Sequence, residues 1–160
     1  MKAKMDNLFK AKGMDALLVT DPFNMRYISG FRGEGILYIS GKQNVLITDS
    51  RYTEAAEKES NFVVVEENRD NKRVAILKRC IEEDGAEVLG YEDCSMLCSE
   101  FAVFSSELSV KQWVPMGQSV NDLRQIKTPE ELEYLRKAES IGDAAFNAIL
   151  NFLKPGLTEL

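Results

Sequence analysis

Apolar positions along the chain switch between short continuous runs and the three-to-four-residue spacing of helices. The run at 16–19 is apolar without interruption, which is typical of a strand covered on both faces. Further apolar runs predict strands at 36–40, 45–48, 62–65, 88–91 and 110–114. Helical spacing predicts helices over 1–12, 71–84 and 99–108, and helix start signals stand at 21–22 and 49–52. Because strands alternate with helices, we predict an α/β fold with a mixed, mostly parallel sheet of about five to six strands, covered by helices on both faces.

The helix after the first strand has clear boundary signals. Asp21 is expected to cap its amino terminus, Pro22 suits the first helical position, and Gly30 is expected to end it. Its apolar residues at helical spacing are predicted to lie on the sheet, and they are Phe23, Tyr27 and Ile28.

A glycine-rich loop, residues 31–35, follows this helix at the carboxyl end of the first strand. It carries the aromatic ring of Phe31 and the guanidinium of Arg32. Open α/β sheets bind ligands at this edge, so Phe31 and Arg32 are candidate substrate-binding residues. A guanidinium suits the carboxylate of a short peptide, because it donates a pair of parallel hydrogen bonds. The alternative is a loop that only turns the chain, with a solvated arginine.

Residues 49–52 predict another helix start, with Asp49 or Ser50 as the cap. The arginine and tyrosine that follow, Arg51 and Tyr52, have a structural interpretation in which Arg51 pairs with Asp49 or a neighbouring carboxylate. We favour this interpretation over a functional one.

The sequence changes character between 115 and 127. Thr128, Pro129 and Glu131 then form a capping box with proline at the first helical position, and one long carboxyl-terminal helix is predicted up to about residue 153. We therefore predict a first domain over 1–120 and a separate segment over 121–160. The apolar stripe of the long helix needs a partner, and a new helix start signal at 157–160 suggests that the natural polypeptide continues.

Composition excludes several classes of function. A net charge of −6 and the absence of basic runs argue against a nucleic-acid partner, and no apolar segment or signal-peptide pattern indicates a membrane. Three cysteines, Cys80, Cys94 and Cys98, suit a reducing compartment, so we expect a cytoplasmic protein. The chain contains no histidine, which excludes Ser-His-Asp and Cys-His triads and every histidine-containing metal motif.

Four segments together resemble the creatinase/prolidase/aminopeptidase P family in order and spacing. They lie at 21–31, 47–52, 89–92 and 123–131, so the resemblance spans most of the chain. It implies the amino-terminal domain of that family, with a ribonuclease H-like fold, over 1–120. Residues 121–160 would then be the linker and the first helix of a catalytic "pita-bread" domain, which this chain lacks.

In this family the catalytic domain holds two divalent metal ions, manganese, cobalt or zinc, and cleaves the bond before proline. The resemblance therefore implies a parent Xaa-Pro dipeptidase or aminopeptidase, while this chain alone holds no metal, no cofactor and no catalytic residue and is expected to be inactive. Its implied role is to build a homodimer and to shape the partner subunit's entrance for proline-containing peptides. Creatinase-like members present an aromatic ring and an arginine to the substrate where this chain has Phe31 and Arg32.

Two alternatives stay open from the sequence. One is a peptide- or protein-binding module of a family member that has lost catalysis. The other is a small independent enzyme that uses Cys94 or Cys98 as a nucleophile, which would need a helix terminus or a lysine to lower the thiol pKa.

Overall fold

The computed structural model describes residues 2–158 as an alternation of helices and strands. The elements, in chain order, are α1 (Lys2–Lys12), β1 (Ala16–Val19), α2 (Pro22–Ser29), β2 (Ile36–Ser40), β3 (Asn44–Asp49), α3 (Thr53–Glu59), β4 (Val63–Glu67), α4 (Arg73–Asp84), β5 (Val88–Tyr91), α5 (Cys98–Glu107), β6 (Gln112–Pro115), α6 (Ser119–Asp122) and α7 (Pro129–Phe152).

The strands form one six-stranded sheet in the order β4-β3-β2-β1-β5-β6. Strand β2 runs antiparallel to both of its neighbours, whereas β3 and β4, β1 and β5, and β5 and β6 pair in parallel. The predicted mixed, mostly parallel sheet is therefore confirmed. Strands β2 and β3 form a hairpin across the turn at 41–43.

The core has two layers, one on each face of the sheet. Alternate strand residues such as Leu18 and Tyr38 pack with α4 and α5 on one face. The strand residues between them, such as Leu17 and Leu37, point to the other face and pack with α1, α2 and α3. All four residues of β1 are fully buried, because helices cover the central strand on both faces.

The boundaries of α2 agree with the sequence prediction, but its buried face agrees only in part: Ile28 packs against the core as predicted, and Phe23 does not. Asp21 accepts a hydrogen bond from the Asn24 amide at 2.9 Å, and Gly30 ends the helix in the left-handed conformation with φ of 85°. The prediction that Phe23 lies on the sheet is wrong, since this residue is 66% exposed. Asn24, Met25 and Ser29 are buried instead, because a polar contact described below turns Asn24 towards the interior.

Helices α3 and α6 also differ from the sequence prediction. Helix α3 begins at Thr53 without a side-chain cap, so the predicted caps at Asp49 and Ser50 are wrong. The Asp49 carboxylate instead accepts the backbone N–H of Arg51 in a local turn. The four-residue helix α6 is too short to show a periodic pattern and was not predicted.

The chain divides into two compact units between Arg124 and Gln125. Within the second unit, α7 has the predicted capping box at Thr128 and Glu131 and buries none of its residues. Its exposed apolar residues include Leu132, Leu135, Phe146 and Ile149, and the exposed Leu153 follows its last residue. No helix within residues 2–158 is long and apolar enough to cross a bilayer.

Candidate functional site

The candidate site lies at the sheet edge where the parallel strands end. Strands β1, β3, β4, β5 and β6 all terminate at this edge, and β2 begins there because it runs in the opposite direction. The loop Phe31–Gly35, which connects α2 to β2, therefore lies beside the residues that follow β3. This is the edge at which open α/β sheets bind ligands.

Phe31 anchors this loop in the core. Its side chain is fully buried and forms an edge-to-face contact with Tyr52, with ring centroids 6.3 Å apart. The backbone of Gly33 lies against both rings, and a Cβ at that position would come within 2.4 Å of the Phe31 ring. The sequence predicts that the Phe31 ring faces a substrate, whereas here the ring is buried. Its substrate-binding role therefore stays a prediction, and it requires the loop to open.

Backbone hydrogen bonds hold the same loop in place around Arg32. The Arg32 amide donates to the Glu59 carboxylate at 2.9 Å, and the Thr48 hydroxyl donates to the Glu34 carbonyl at 2.6 Å. The Arg32 side chain is exposed, and its guanidinium makes no ion pair or hydrogen bond with any described residue. The loop thus presents an unpaired cation from a fixed backbone.

Arg51 connects the loop to the end of β3. Its guanidinium pairs with the Asp49 carboxylate at 2.7 Å and with the Glu34 carboxylate at 3.0 Å, and it lies over the Tyr52 ring at 5.0 Å. Hydrogen bonds from Arg51 lower the pKa of the Asp49 carboxyl. The predicted structural pairing of Arg51 with Asp49 is therefore confirmed, and Glu34 is a second partner.

A buried carboxylate, which sequence analysis missed, lies at the same sheet edge. Glu92 is 3% exposed and accepts hydrogen bonds from the amides of Thr20 (2.6 Å) and Asp21 (2.7 Å) and from the side chain of Asn24 (2.6 Å). The Asn24 side chain also donates to Asn121 at 2.8 Å. Burial raises the pKa of Glu92, while these hydrogen bonds act in the opposite direction. This network joins the end of β5 to the start of α2.

Comparison with known protein families identifies the domain that carries this site. The model described as the creatinase/prolidase N-terminal domain matches residues 2–126. The chain belongs to the creatinase/prolidase N-terminal domain family.

Members and neighbours of this family give the same assignment in sequence and in structure. The uncharacterised peptidase YqhT of Bacillus subtilis is 38% identical over 159 residues, which cover 98% of this chain and 44% of that protein. The structure of a Xaa-Pro dipeptidase from Bacillus anthracis is 31% identical with a TM-score of 0.83, over 98% of this chain and 44% of that one. The N-terminal domain of the cytoplasmic peptidase PepQ from Mycobacterium tuberculosis is 29% identical with a TM-score of 0.66, over 76% of this chain and 95% of that domain. The chain thus spans less than half the length of the curated relatives that it matches.

The described part of this creatinase/prolidase N-terminal domain offers no metal centre. Residues 2–158 contain no group of three or more His, Cys, Asp or Glu side chains placed to hold a metal ion. Hard divalent ions need several converging oxygen or nitrogen ligands, so these residues do not fit the metals of a Xaa-Pro peptidase.

Burial raises the pKa of Cys80 to about 11, which makes that thiol a poor nucleophile.

Proposed function

We propose that this chain is the non-catalytic amino-terminal part of a cytoplasmic, metal-dependent Xaa-Pro peptidase, either a dipeptidase or an aminopeptidase. The family match, the 31% identity to a Xaa-Pro dipeptidase and the coverage of only 44% of that protein support this proposal. The similarity to the N-terminal domain of the cytoplasmic peptidase PepQ supports the compartment.

In this proposal the metal chemistry belongs to a catalytic domain outside the chain. Two divalent ions, manganese, cobalt or zinc, would there activate water for hydrolysis of the bond before proline. The residues of this chain would contribute a dimer contact and one side of the partner subunit's substrate entrance. We expect the chain alone to be inactive, because residues 2–158 contain no cluster of side chains placed to hold those ions.

The observation that carries the proposed contribution is the exposed, unpaired guanidinium of Arg32 on a loop that the core holds in place. The guanidinium suits the carboxylate of a short peptide because it can donate paired hydrogen bonds, and the backbone that carries it is already ordered before the two bind. The contact would lie away from the scissile bond, so it would stabilise the bound substrate and the transition state equally.

The test is Arg32→Ala in the longer peptidase. A charge-assisted hydrogen bond is worth roughly 1.5–3 kcal/mol, so kcat/KM should fall about tenfold to a hundredfold, mainly through KM. The melting temperature should hardly change, since an exposed arginine contributes little to stability. Arg69→Ala, which removes an exposed arginine from the loop between β4 and α4, is the matched control and should leave both constants unchanged.

Two results would contradict the proposal. An unchanged kcat/KM would show that Arg32 is a solvated loop residue. A melting temperature that falls together with activity would show a structural role instead. If the polypeptide beyond Leu160 lacks two Asp, one His and two Glu at the family's spacing, a peptide- or protein-binding module becomes the better assignment.

A further inference from the structure

The loop Phe31–Gly35 carries two opposite charges that the structure keeps apart. Arg32 and Glu34 lie two positions apart, and both side chains are exposed. The Glu34 carboxylate is paired with Arg51 at 3.0 Å, whereas the Arg32 guanidinium has no partner among the described residues. The loop therefore presents its cation while its carboxylate is occupied.

Arg51 is held in turn by the end of β3. Its Nε donates to the Asp49 carboxylate at 3.0 Å, its Nη2 donates to the same group at 2.7 Å, and the Tyr52 ring lies 5.0 Å from its guanidinium. Tyr52 also contacts the buried ring of Phe31. Arg51 thus has a defined position set by the sheet, and it reaches Glu34 from that position.

We infer that Arg51 is a positioning residue, whose ion pair with Glu34 keeps the Arg32 guanidinium available to an anionic ligand. Without Arg51, the Glu34 carboxylate would lose its cation, and Arg32 is a cation on the same short loop. Opposite charges on neighbouring side chains attract, so Glu34 would pair with Arg32 and compete with the ligand. The inference rests on the proposed function only in taking that ligand to be a peptide carboxylate.

The first test uses the chain itself and needs no peptidase activity. In Arg51→Ala, the NMR signal of the Arg32 Nε–H group should shift and its hydrogen exchange should slow, because Arg32 now pairs with Glu34. The double variant Arg51→Ala/Glu34→Gln should restore the wild-type signal. Arg73→Ala is the matched control: Arg73 also bridges two carboxylates, those of Glu67 and Glu100, and its loss should leave the Arg32 signal unchanged.

The second test uses the longer peptidase. Arg51→Ala should raise KM for a Xaa-Pro dipeptide by no more than about fivefold, because exposed ion pairs are weak, with kcat unchanged. The double variant with Glu34→Gln should recover the wild-type KM, which a merely structural role of Arg51 would not predict.

The outcomes separate this inference from the proposed function. If Arg32→Ala leaves KM unchanged, the proposed function fails, and the NMR result still decides whether Arg51 controls the Arg32 guanidinium. If Arg32→Ala raises KM but Arg51→Ala does not, the positioning role alone is overturned. An Arg32 signal that is the same in the wild type and in Arg51→Ala would also overturn it, as would a KM that stays high in the double variant.

Discussion

At the scale of single residues, Glu92 shows how burial and hydrogen bonding compete. Three donors, two backbone amides and the Asn24 side chain, favour the charged carboxylate. Burial disfavours that charge more strongly, so the pKa of Glu92 lies above its ordinary value of 4.5. The folded protein therefore binds a proton at Glu92 more tightly than the unfolded chain does.

This balance predicts how stability depends on pH. The contribution of Glu92 to folding should be fully present below about pH 4.5 and should be lost as the pH rises through the raised folded-state pKa. Glu92→Gln does not titrate, so the wild type should lose free energy of unfolding relative to this variant over that range. Urea titrations of both proteins at several pH values measure the difference. A wild type that gains stability relative to Glu92→Gln as the pH rises would mean that the three donors outweigh burial.

A second variant separates the charge of Glu92 from its role as an acceptor. Glu92→Ala leaves the amides of Thr20 and Asp21 without their acceptor. A buried unsatisfied donor costs about 1–3 kcal/mol, so this variant should be less stable than Glu92→Gln at every pH.

The sequence could predict some of these residues and not others, for physical reasons. Asp21 and Gly30 were predictable because caps depend on local chemistry at helix ends. Asn24 and Glu92 were not, since their contact joins residues 68 positions apart and leaves no periodic signal. The same contact explains the error at Phe23, because the orientation of α2 that places Asn24 and Met25 in the interior leaves Phe23 on the outside. The exposure of Arg32 agrees with its place in a glycine-rich loop, whereas the burial of Phe31 depends on Tyr52, which lies on another segment.

At the scale of elements, the start of β2 depends on the absence of a side chain at Gly35. A Cβ at this position would lie 2.5 Å from the carbonyl oxygen of Ile47 on β3. Gly35→Ala should therefore push β2 away from β3 and lower the free energy of unfolding by about 1–3 kcal/mol. Gly41→Ala in the hairpin turn is the matched control, because nothing lies within 4 Å of its added Cβ, and it should change stability by less than about 0.5 kcal/mol. Equal stabilities for the two variants, measured by chemical denaturation, would contradict this account.

At the scale of the whole molecule, α7 differs from the helices of the first unit, each of which buries at least one residue. None of its residues is buried, whereas most of the stability of helices in proteins comes from packing an apolar face against other elements. Its backbone amides should therefore exchange with solvent much faster than those of β1, whose four residues are all fully buried. Native-state hydrogen exchange measures both. The oligomeric state must be determined in the same samples, because a second copy that covers the apolar stripe of α7 would also slow exchange. Strong protection of α7 in a proven monomer would contradict the prediction.

The pairing of β1 with β5 has a consequence for the folding pathway. Strands β1 to β4 are connected by one hairpin and by the short helices α2 and α3, so their contacts form between segments close in the sequence. The register of β1 with β5 pairs residues 73 positions apart, such as Ala16 and Leu89, and closing so long a loop costs more entropy before any contact compensates for it. We therefore expect this seam to form after the folding transition state. Substitutions at Glu92, which lies on the seam, should then mainly accelerate unfolding and leave the refolding rate nearly unchanged, so this carboxylate would govern how long the folded protein persists.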